Sequence, residues 1–316
     1  MILTVTLNPC LDKTIWVDQL RLDDILRADH VDTIAGGKGS NVSSIIRAFG
    51  YQVVHLVVLA GDTGRQVERL LDAQRMHGAK LWVQGQTRTV TTVVEQGSYR
   101  QVAFVEPGPV WTKEDVDHVL FAFSMRASRL HAGDWVILSG SVPEGPVSDI
   151  YRQMIELAHQ QGLRVLLDSR GEAFARAIPA EPEWIKPNRQ EAQDALGYGG
   201  DDDALIAGLL ERGAQGVLLS LGEAGVRYAQ RGQKPAAIPA FPVETVNPVG
   251  SGDALVAGFI LAQNKGCALE DCIRAGSALG AVNAARFAAG RIEPSEAYAR
   301  FPELENLISR TVGRKN

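Results

Sequence analysis

An α/β fold on a mostly parallel central sheet, with helices on both faces and a small β lid, is predicted by three features of the 316-residue sequence. Short apolar, β-branched runs alternate with amphipathic helical patterns, the signature of βαβ construction. Five of those runs end in small or polar residues, and parallel strands place their carboxyl ends along one sheet edge, where open α/β folds bind ligands. Two segments, 12–35 and 82–106, break the alternation and read as strands and hairpins.

In chain order, "MILTVTLNP" opens as a strand, and "KTIWVDQL" with "ADHVDTIAG" supplies the first part of the lid. A helical pattern at 40–50 leads into the strand "HLVVLAGD", which ends in Gly61-Asp62, and a second helix is expected at 63–77. The other lid segment, "WVQGQTRTVTTVVEQGSYRQVAFVE", precedes a helix at 113–131 and the strand "DWVILSGS", which ends in Ser139-Gly140-Ser141. A helix at 147–161 is followed by "RVLLDSRG", ending in Asp168-Ser169, and "EWIKPN", ending in Asn188. After a helix at 201–213 comes "GVLLSLGEAG", with Ser220 and Gly222 at its end, and then helices at 252–264, 269–289 and 295–312. Residues 1–11, 36–81 and 107–316 are thus assigned to one α/β domain, and 12–35 with 82–106 to a lid whose two parts pair as one sheet. Lids of this kind close over a site and exclude water.

Composition narrows the function. Hydrophobic residues make up 45% and charged residues 22%, with a net charge of −5, which describes an ordinary soluble globular protein without a surface for nucleic acid. No apolar run is long enough to span a bilayer, and the amino terminus has neither a basic flank nor a small-residue cleavage site, so a cytoplasmic location without membrane partners is expected. Cys10, Cys267 and Cys272 have no CxxC spacing or matched histidines, which predicts reduced, partly buried thiols.

Several motifs carry chemistry, each with a plainer alternative. "GGKGSN", residues 36 to 41, is not a Walker A loop, because Gly39 follows the lysine where Ser or Thr is required. Its glycines either form a turn or let a ligand approach the backbone, with Lys38 and Asn41 as polar contacts. "TVNPVGSGDALVAGFILAQ", residues 245 to 263, sets a Gly-Ser-Gly-Asp turn against an apolar helix. A helix start leaves N–H groups unpaired at a positive dipole end, so Asp253 is either a dipole-stabilised first-turn carboxylate or part of an anion site. Leu255 stands at the third glycine position of a dinucleotide fingerprint, which argues against hydride transfer. Asp12 is either a solvated loop residue or a carboxylate that accepts sugar hydroxyls, and Arg88 either points inward from a lid strand or lies on the surface. The "DDD" run at 201–203 reads as a solvated helix start rather than a metal cluster.

Together, "GGKGSNVSSIIRAFG", "KPNRQEA" and "NPVGSGDALVAGF" resemble the signatures of the ribokinase-like, or PfkB, family of carbohydrate kinases. "TLNPCLD", "SGSVPEG", "LLDSRGEA" and "SLGEAG" resemble its branch containing 1-phosphofructokinase and tagatose-6-phosphate kinase. The resemblance implies a three-layer α/β sandwich with a β-sheet lid, ATP and Mg²⁺, and phosphoryl transfer to a hydroxyl of a ketohexose phosphate, fructose 1-phosphate or tagatose 6-phosphate. It makes Asp253 the base and the N–H groups of Gly250, Ser251 and Gly252 the anion hole. Asp12, Gly37, Asn41 and Ser139 would bind the sugar, with Lys38 and Arg88 near its phosphate. Ser220, Gly222, Gly225 and Asn283 would border the nucleotide, Lys186 and Asn188 would approach its phosphates, and Glu191 would organise Mg²⁺ through water. Ala103 stands where related 6-phosphofructokinases often carry a second phosphate-binding arginine, which leaves Lys38 or Arg100 to compensate. A 6-phosphofructokinase, a kinase of an unphosphorylated sugar or nucleoside, and a non-catalytic sensor are the alternatives. Relatives often pair through their lids, so a homodimer is expected.

Overall fold

The computed structural model describes residues 1–21, 24–76, 78–98 and 100–310. The chain begins with β1 (Ile2–Thr6), runs through Pro9 into β2 (Cys10–Val17) and returns along β3 (His30–Gly36). Next come α1 (Lys38–Ala48), β4 (Val53–Ala60), α2 (Gly61–Ala73) and β5 (Gly78–Val83), then the hairpin of β6 (Arg88–Glu95) and β7 (Gln101–Val105). The α/β alternation resumes with α3 (Lys113–Ala127), β8 (Trp135–Ser139), α4 (Ile150–Gln160), β9 (Arg164–Asp168), α5 (Gly171–Ala177), β10 (Trp184–Ile185) and α6 (Arg189–Leu196). It ends with α7 (Asp202–Glu211), β11 (Gly216–Ser220), β12 (Val226–Gln230), β13 (Ala236–Ile238), α8 (Ser251–Lys265), α9 (Leu269–Ala284), α10 (Pro294–Arg300) and α11 (Glu303–Ile308).

Two sheets result. The larger has nine strands in the order β13-β12-β11-β10-β9-β8-β1-β4-β5, and the smaller has four in the order β3-β2-β6-β7. From β11 to β5 every pairing is parallel, while β12 and β13 run antiparallel at one edge. Strands β1 and β8 are buried along their whole length, as expected when helices cover both faces. Alternate residues feed opposite cores: Leu3 and Val5 pack with α3, α4 and α7, whereas Ile2 packs with α1, α8 and α9.

The expected helices and strands are present, with informative shifts. Trp82 and Val83, assigned to the lid, instead complete β5, where they pair with Leu59 and Ala60 of the large sheet. The pattern at 295–312 is two short helices, because Pro302 cannot continue the first. Its residues 311 and 312, like residue 77 of the helix expected at 63–77, lie outside the described residues. Asp201 caps α7 by accepting from the Ala204 N–H at 2.8 Å, and Asp202 pairs with Arg189, which accounts for the acidic run. The three cysteines are free thiols. Among the described residues, no helix is long and apolar enough to cross a membrane.

Candidate active site

The carboxyl ends of β1, β8, β9, β10 and β11 share one edge of the large sheet, and α8 begins there. Gly250 starts α8 with φ +81°, a left-handed conformation that glycine adopts without a Cβ clash. A Cβ there would also lie 2.9 Å from that of Ala289. No side chain caps this helix. The Ser251 N–H is used by the Pro248 carbonyl at 3.2 Å, whereas those of Gly250, Gly252 and Asp253 make no hydrogen bond among the described residues. Open N–H groups at a dipole's positive end form an anion cradle. Of the three N–H groups expected to cradle an anion, that of Ser251 is thus engaged, while the Asp253 N–H is open beside those of Gly250 and Gly252.

Asp253 is buried, and its Oδ2 accepts from Asn41 Nδ2 at 2.8 Å. Burial pushes its carboxyl up to about 7, with Asp168 adding to the effect and Lys38, Asn41 and Lys186 opposing it. That value suits a base working at neutral pH.

Asp168, at the end of β9, ties the neighbouring cations together. Its Oδ1 receives Lys38 Nζ at 3.1 Å and Lys186 Nζ at 3.3 Å, and its Oδ2 has no partner. Burial disfavours the Asp168 carboxylate, but the two ammonium groups outweigh it and hold the carboxyl below its ordinary range. Burial likewise works against charged Lys38, and Asp168, Asp253 and Glu191 outweigh it and hold the ammonium above the usual lysine range. Lys186 Nζ is 3.3 Å from where a Cβ on Gly252 would sit, so this amine stands beside the open start of α8. The sequence reading noted Asp168 at a strand end but gave it no role; the signal was a buried strand finishing in a carboxylate.

A cavity of about 200 Å³ adjoins this cluster and brings together Lys38, Arg88, Ser139 and Glu191. Asn8, Ser141, Ser169 and Arg170 complete much of its wall; the sequence marks Ser141 and Ser169 as polar strand ends and gives none of the four a role. Arg88 donates an Nη2–H to the Asn8 carbonyl at 3.1 Å. Its Nε, the Ser139 hydroxyl and Asn8 Oδ1 are buried without a hydrogen-bond partner. Asp12 opens instead on a neighbouring space of about 140 Å³ between the small sheet and residues 287–289, where burial raises its carboxyl above the ordinary range. Gly37, between the two spaces, is the N-cap of α1. A larger cavity of about 300 Å³, between Met1, Arg47 and Arg75, lies at the opposite, amino edge of the strands and contains none of these groups.

The Asn188–Glu191 spacing has a structural cause. Asn188 Oδ1 accepts from the Glu191 N–H at 2.8 Å and Glu191 Oε2 accepts from the Asn188 N–H at 2.9 Å, a reciprocal capping box at the start of α6. Ser220 forms a backbone bridge to Asn188 and donates its hydroxyl to the Pro187 carbonyl at 3.2 Å. Gly222 and Gly225 flank the tight turn between β11 and β12. Asn283, expected beside a base, is fully buried beneath the α8 start. Its Nδ2 donates to the Val249 carbonyl at 2.8 Å and Ser251 Oγ at 3.2 Å, and its Oδ1 accepts from the Gly290 N–H at 2.9 Å, so both amide donors are spent inside the fold. Arg100 is exposed beside Glu95, 3.8 Å away at the tip of the small sheet, and does not line the cavity.

The description "pfkB family carbohydrate kinase" matches residues 5–296. A tagatose-6-phosphate kinase of Staphylococcus epidermidis is 30% identical over 96% of this chain and 99% of its own length. Phosphofructokinase-2 of Escherichia coli superposes with a TM-score of 0.87 at 25% identity, covering 96% of this chain and 99% of that one. Ribokinase of Thermotoga maritima shares the fold, with a TM-score of 0.75 at 17% identity over 95% of this chain and 99% of its own. The family match runs from β1 into α10, and the chain therefore belongs to the pfkB family of carbohydrate kinases, enzymes that transfer phosphate to a sugar hydroxyl.

Proposed function

We propose that this kinase uses Mg-ATP to phosphorylate a ketohexose phosphate, tagatose 6-phosphate or fructose 1-phosphate, with Asp253 as the base. The observation that carries the reading is the pairing of a buried, Asn41-held carboxylate at an open helix start with a cationic cavity beside it. Asp253 Oδ2 takes the proton of the attacking hydroxyl while Asn41 fixes the carboxylate. The open N–H groups of Gly250, Gly252 and Asp253, with Lys186, stabilise charge on the transferring phosphoryl group. Lys38, Arg88 and the Ser139 hydroxyl hold the phosphate already on the sugar, and Asp12 and Asn41 orient its hydroxyls.

The donor set suits magnesium, a hard cation that keeps several waters and takes one or two carboxylates. Glu191 Oε1 is free of the capping box, and Asp168 Oδ2 lacks a partner. When bound, the ion would neutralise charge on the nucleotide phosphates. Ser220, Gly222 and Gly225 border the nucleotide at the β11–β12 turn. The small sheet acts as a lid, and its outer face pairs two chains.

A coupled ADP-release assay with fructose 1-phosphate, fructose 6-phosphate, tagatose 6-phosphate, free fructose and adenosine tests this reading through kcat/KM, which measures differential transition-state binding. One ketohexose phosphate is expected to exceed free fructose by at least about tenfold. Turnover of none of the phosphorylated sugars would overturn it.

A further inference from the structure

The cavity beside Asp253 contains a cation that neither the family resemblance nor the sequence motifs assign. Arg170 follows Ser169 at the end of β9 and is the N-cap residue of α5, so its backbone position is fixed by a strand on one side and a helix on the other. Arg170 is exposed and lines the same cavity as Lys38 and Arg88. Among the described residues its guanidinium makes no hydrogen bond or ion pair, in contrast to Lys38, which Asp168 holds. The cavity wall thus carries three cations against one lining carboxylate, Glu191, and that carboxylate is already drawn toward the Asn188 N–H.

Arg170 shares its cavity with Lys38, Arg88 and Ser139, the groups assigned above to the phosphate of the sugar. Strands β1, β8 and β9 are consecutive neighbours, and the chain just beyond each forms one continuous wall. Asn8, beyond β1, accepts Arg88 through its carbonyl, and its side-chain amide donates to Ser141 Oγ at 3.4 Å. Ser169 donates its hydroxyl to the Gly140 carbonyl at 2.9 Å, which fastens the Ser169-Arg170 step to the Ser139–Ser141 turn. Arg170 and Arg88 therefore line one cavity together with the unpartnered Ser139 hydroxyl. The nucleotide-side turn at Gly222–Gly225 lies beyond β10 and β11.

From this arrangement we infer that Arg170 is a specificity-determining residue that binds the phosphate already carried by the sugar, forming with Arg88 a two-guanidinium clamp around the Ser139–Ser141 turn. This inference rests on the sugar-phosphate reading above. A guanidinium offers paired donors in a rigid fork that matches phosphate oxygens, which an ammonium cannot reproduce. Two such forks discriminate a phosphorylated ketohexose from its free sugar, because the uncharged hydroxyl leaves both without an anion. They also take over the task for which Ala103 and the distant Arg100 are unsuited.

The test compares wild type with Arg170→Ala and Arg170→Lys by steady-state kinetics and by calorimetric titration with fructose 1-phosphate and tagatose 6-phosphate without nucleotide. Arg170→Ala is expected to raise KM for the preferred sugar phosphate, and its calorimetric Kd, at least tenfold, while KM for ATP stays within twofold. With the free sugar as substrate, kcat/KM should stay within twofold, and Arg170→Lys should recover only part of the loss. A twofold or smaller effect on the sugar phosphate, a rise confined to ATP, or an equal loss with phosphorylated and free sugar would each overturn the inference. If wild type binds a sugar phosphate in the titration, and Arg170→Ala weakens that binding, yet no sugar is turned over, the kinase reading fails while the phosphate-binding assignment of Arg170 stands.

Discussion

Burial of Asp253 suits it to the proposed role of base and limits stability at the same position. A carboxylate in this environment ionises only near pH 7, so kcat/KM is expected to rise through about pH 7 with unit slope as the base loses its proton. Asp253→Asn should retain sugar and nucleotide binding and lose turnover by about 10²–10⁴-fold. Because the folded pKa is raised above the unfolded one, protonation of Asp253 contributes stability that is fully present below pH 3.8 and is lost as pH rises to about 7. Asp253→Asn, which does not titrate, should therefore gain in Tm relative to wild type between pH 4 and pH 8. A Tm difference that does not change with pH would show that Asp253 titrates alike in both states. Asp253 was legible as a candidate site residue because an acidic residue follows three small residues at an apolar helix start. Its environment was not, since Asn41, Lys38 and Asp168 converge on it only through the tertiary fold. Arg170 was illegible for the same reason, as nothing local distinguishes an arginine at a cavity wall from one on the surface.

At the scale of elements, short capped helices do as much positioning as long ones. The Asn188–Glu191 capping box starts α6 and fixes the carboxylate that faces Lys38, so Asn188→Ala should cost about 1 kcal/mol, the typical loss on removing an N-cap. Thermal unfolding should show a Tm lower by a few degrees, and turnover should demand more Mg²⁺ because Glu191 is no longer held. Asn188→Ser keeps a capping acceptor and should restore the Tm; an unchanged Tm in Asn188→Ala would mean that the box contributes nothing to folding. The loop leaving α9 has a comparable role. Gly290 adopts φ +68°, and a Cβ there would lie 2.7 Å from the Asn41 side chain. Gly290→Ala is expected to displace Asn41 from Asp253 and lower kcat at least tenfold with a smaller change in KM; wild-type kcat would show that Asn41 does not orient the base. The long α8 and α9 were readable from their apolar patterns, whereas α5 and α6, with 7 and 8 residues, are too short to show a helical period. Strand β10, with 2 residues, was found only because its flanks end in polar groups.

The whole molecule is organised by what its small sheet does with its two faces. Asp12 and Thr14 of β2, Asp32 and Ile34 of β3 and Thr92 of β6 share one face of the sheet and line a space with residues 287–289. Trp16, on the same face of β2, packs on Phe287 with ring centroids 4.0 Å apart. Side chains alternate along a strand, so the intervening residues must face outward. The register aligns Val31, Ile15, Val93 and Val102 in one apolar row across β3, β2, β6 and β7. The next row carries Phe104, which is 60% exposed. Beside Phe104 that row carries Thr33, Lys13 and Thr91, so the outer face presents an apolar row and an exposed aromatic, an association surface unless it is covered. Residue period alone anticipated a lid, but the apolar row emerges only once the strands are in register, and that register joins residues from two separated parts of the chain. Light scattering at micromolar concentration should therefore give the mass of two chains for wild type and of one chain for Val102→Asp combined with Ile15→Asp. Because both substitutions lie on the face away from Asp12, the double variant should keep its fold by circular dichroism. Its KM for the sugar phosphate should rise as the lid loses the support of its neighbour. A wild-type monomer, with and without sugar phosphate, would remove the small sheet from any role in pairing, and a double variant that stays dimeric would place the interface elsewhere on the molecule.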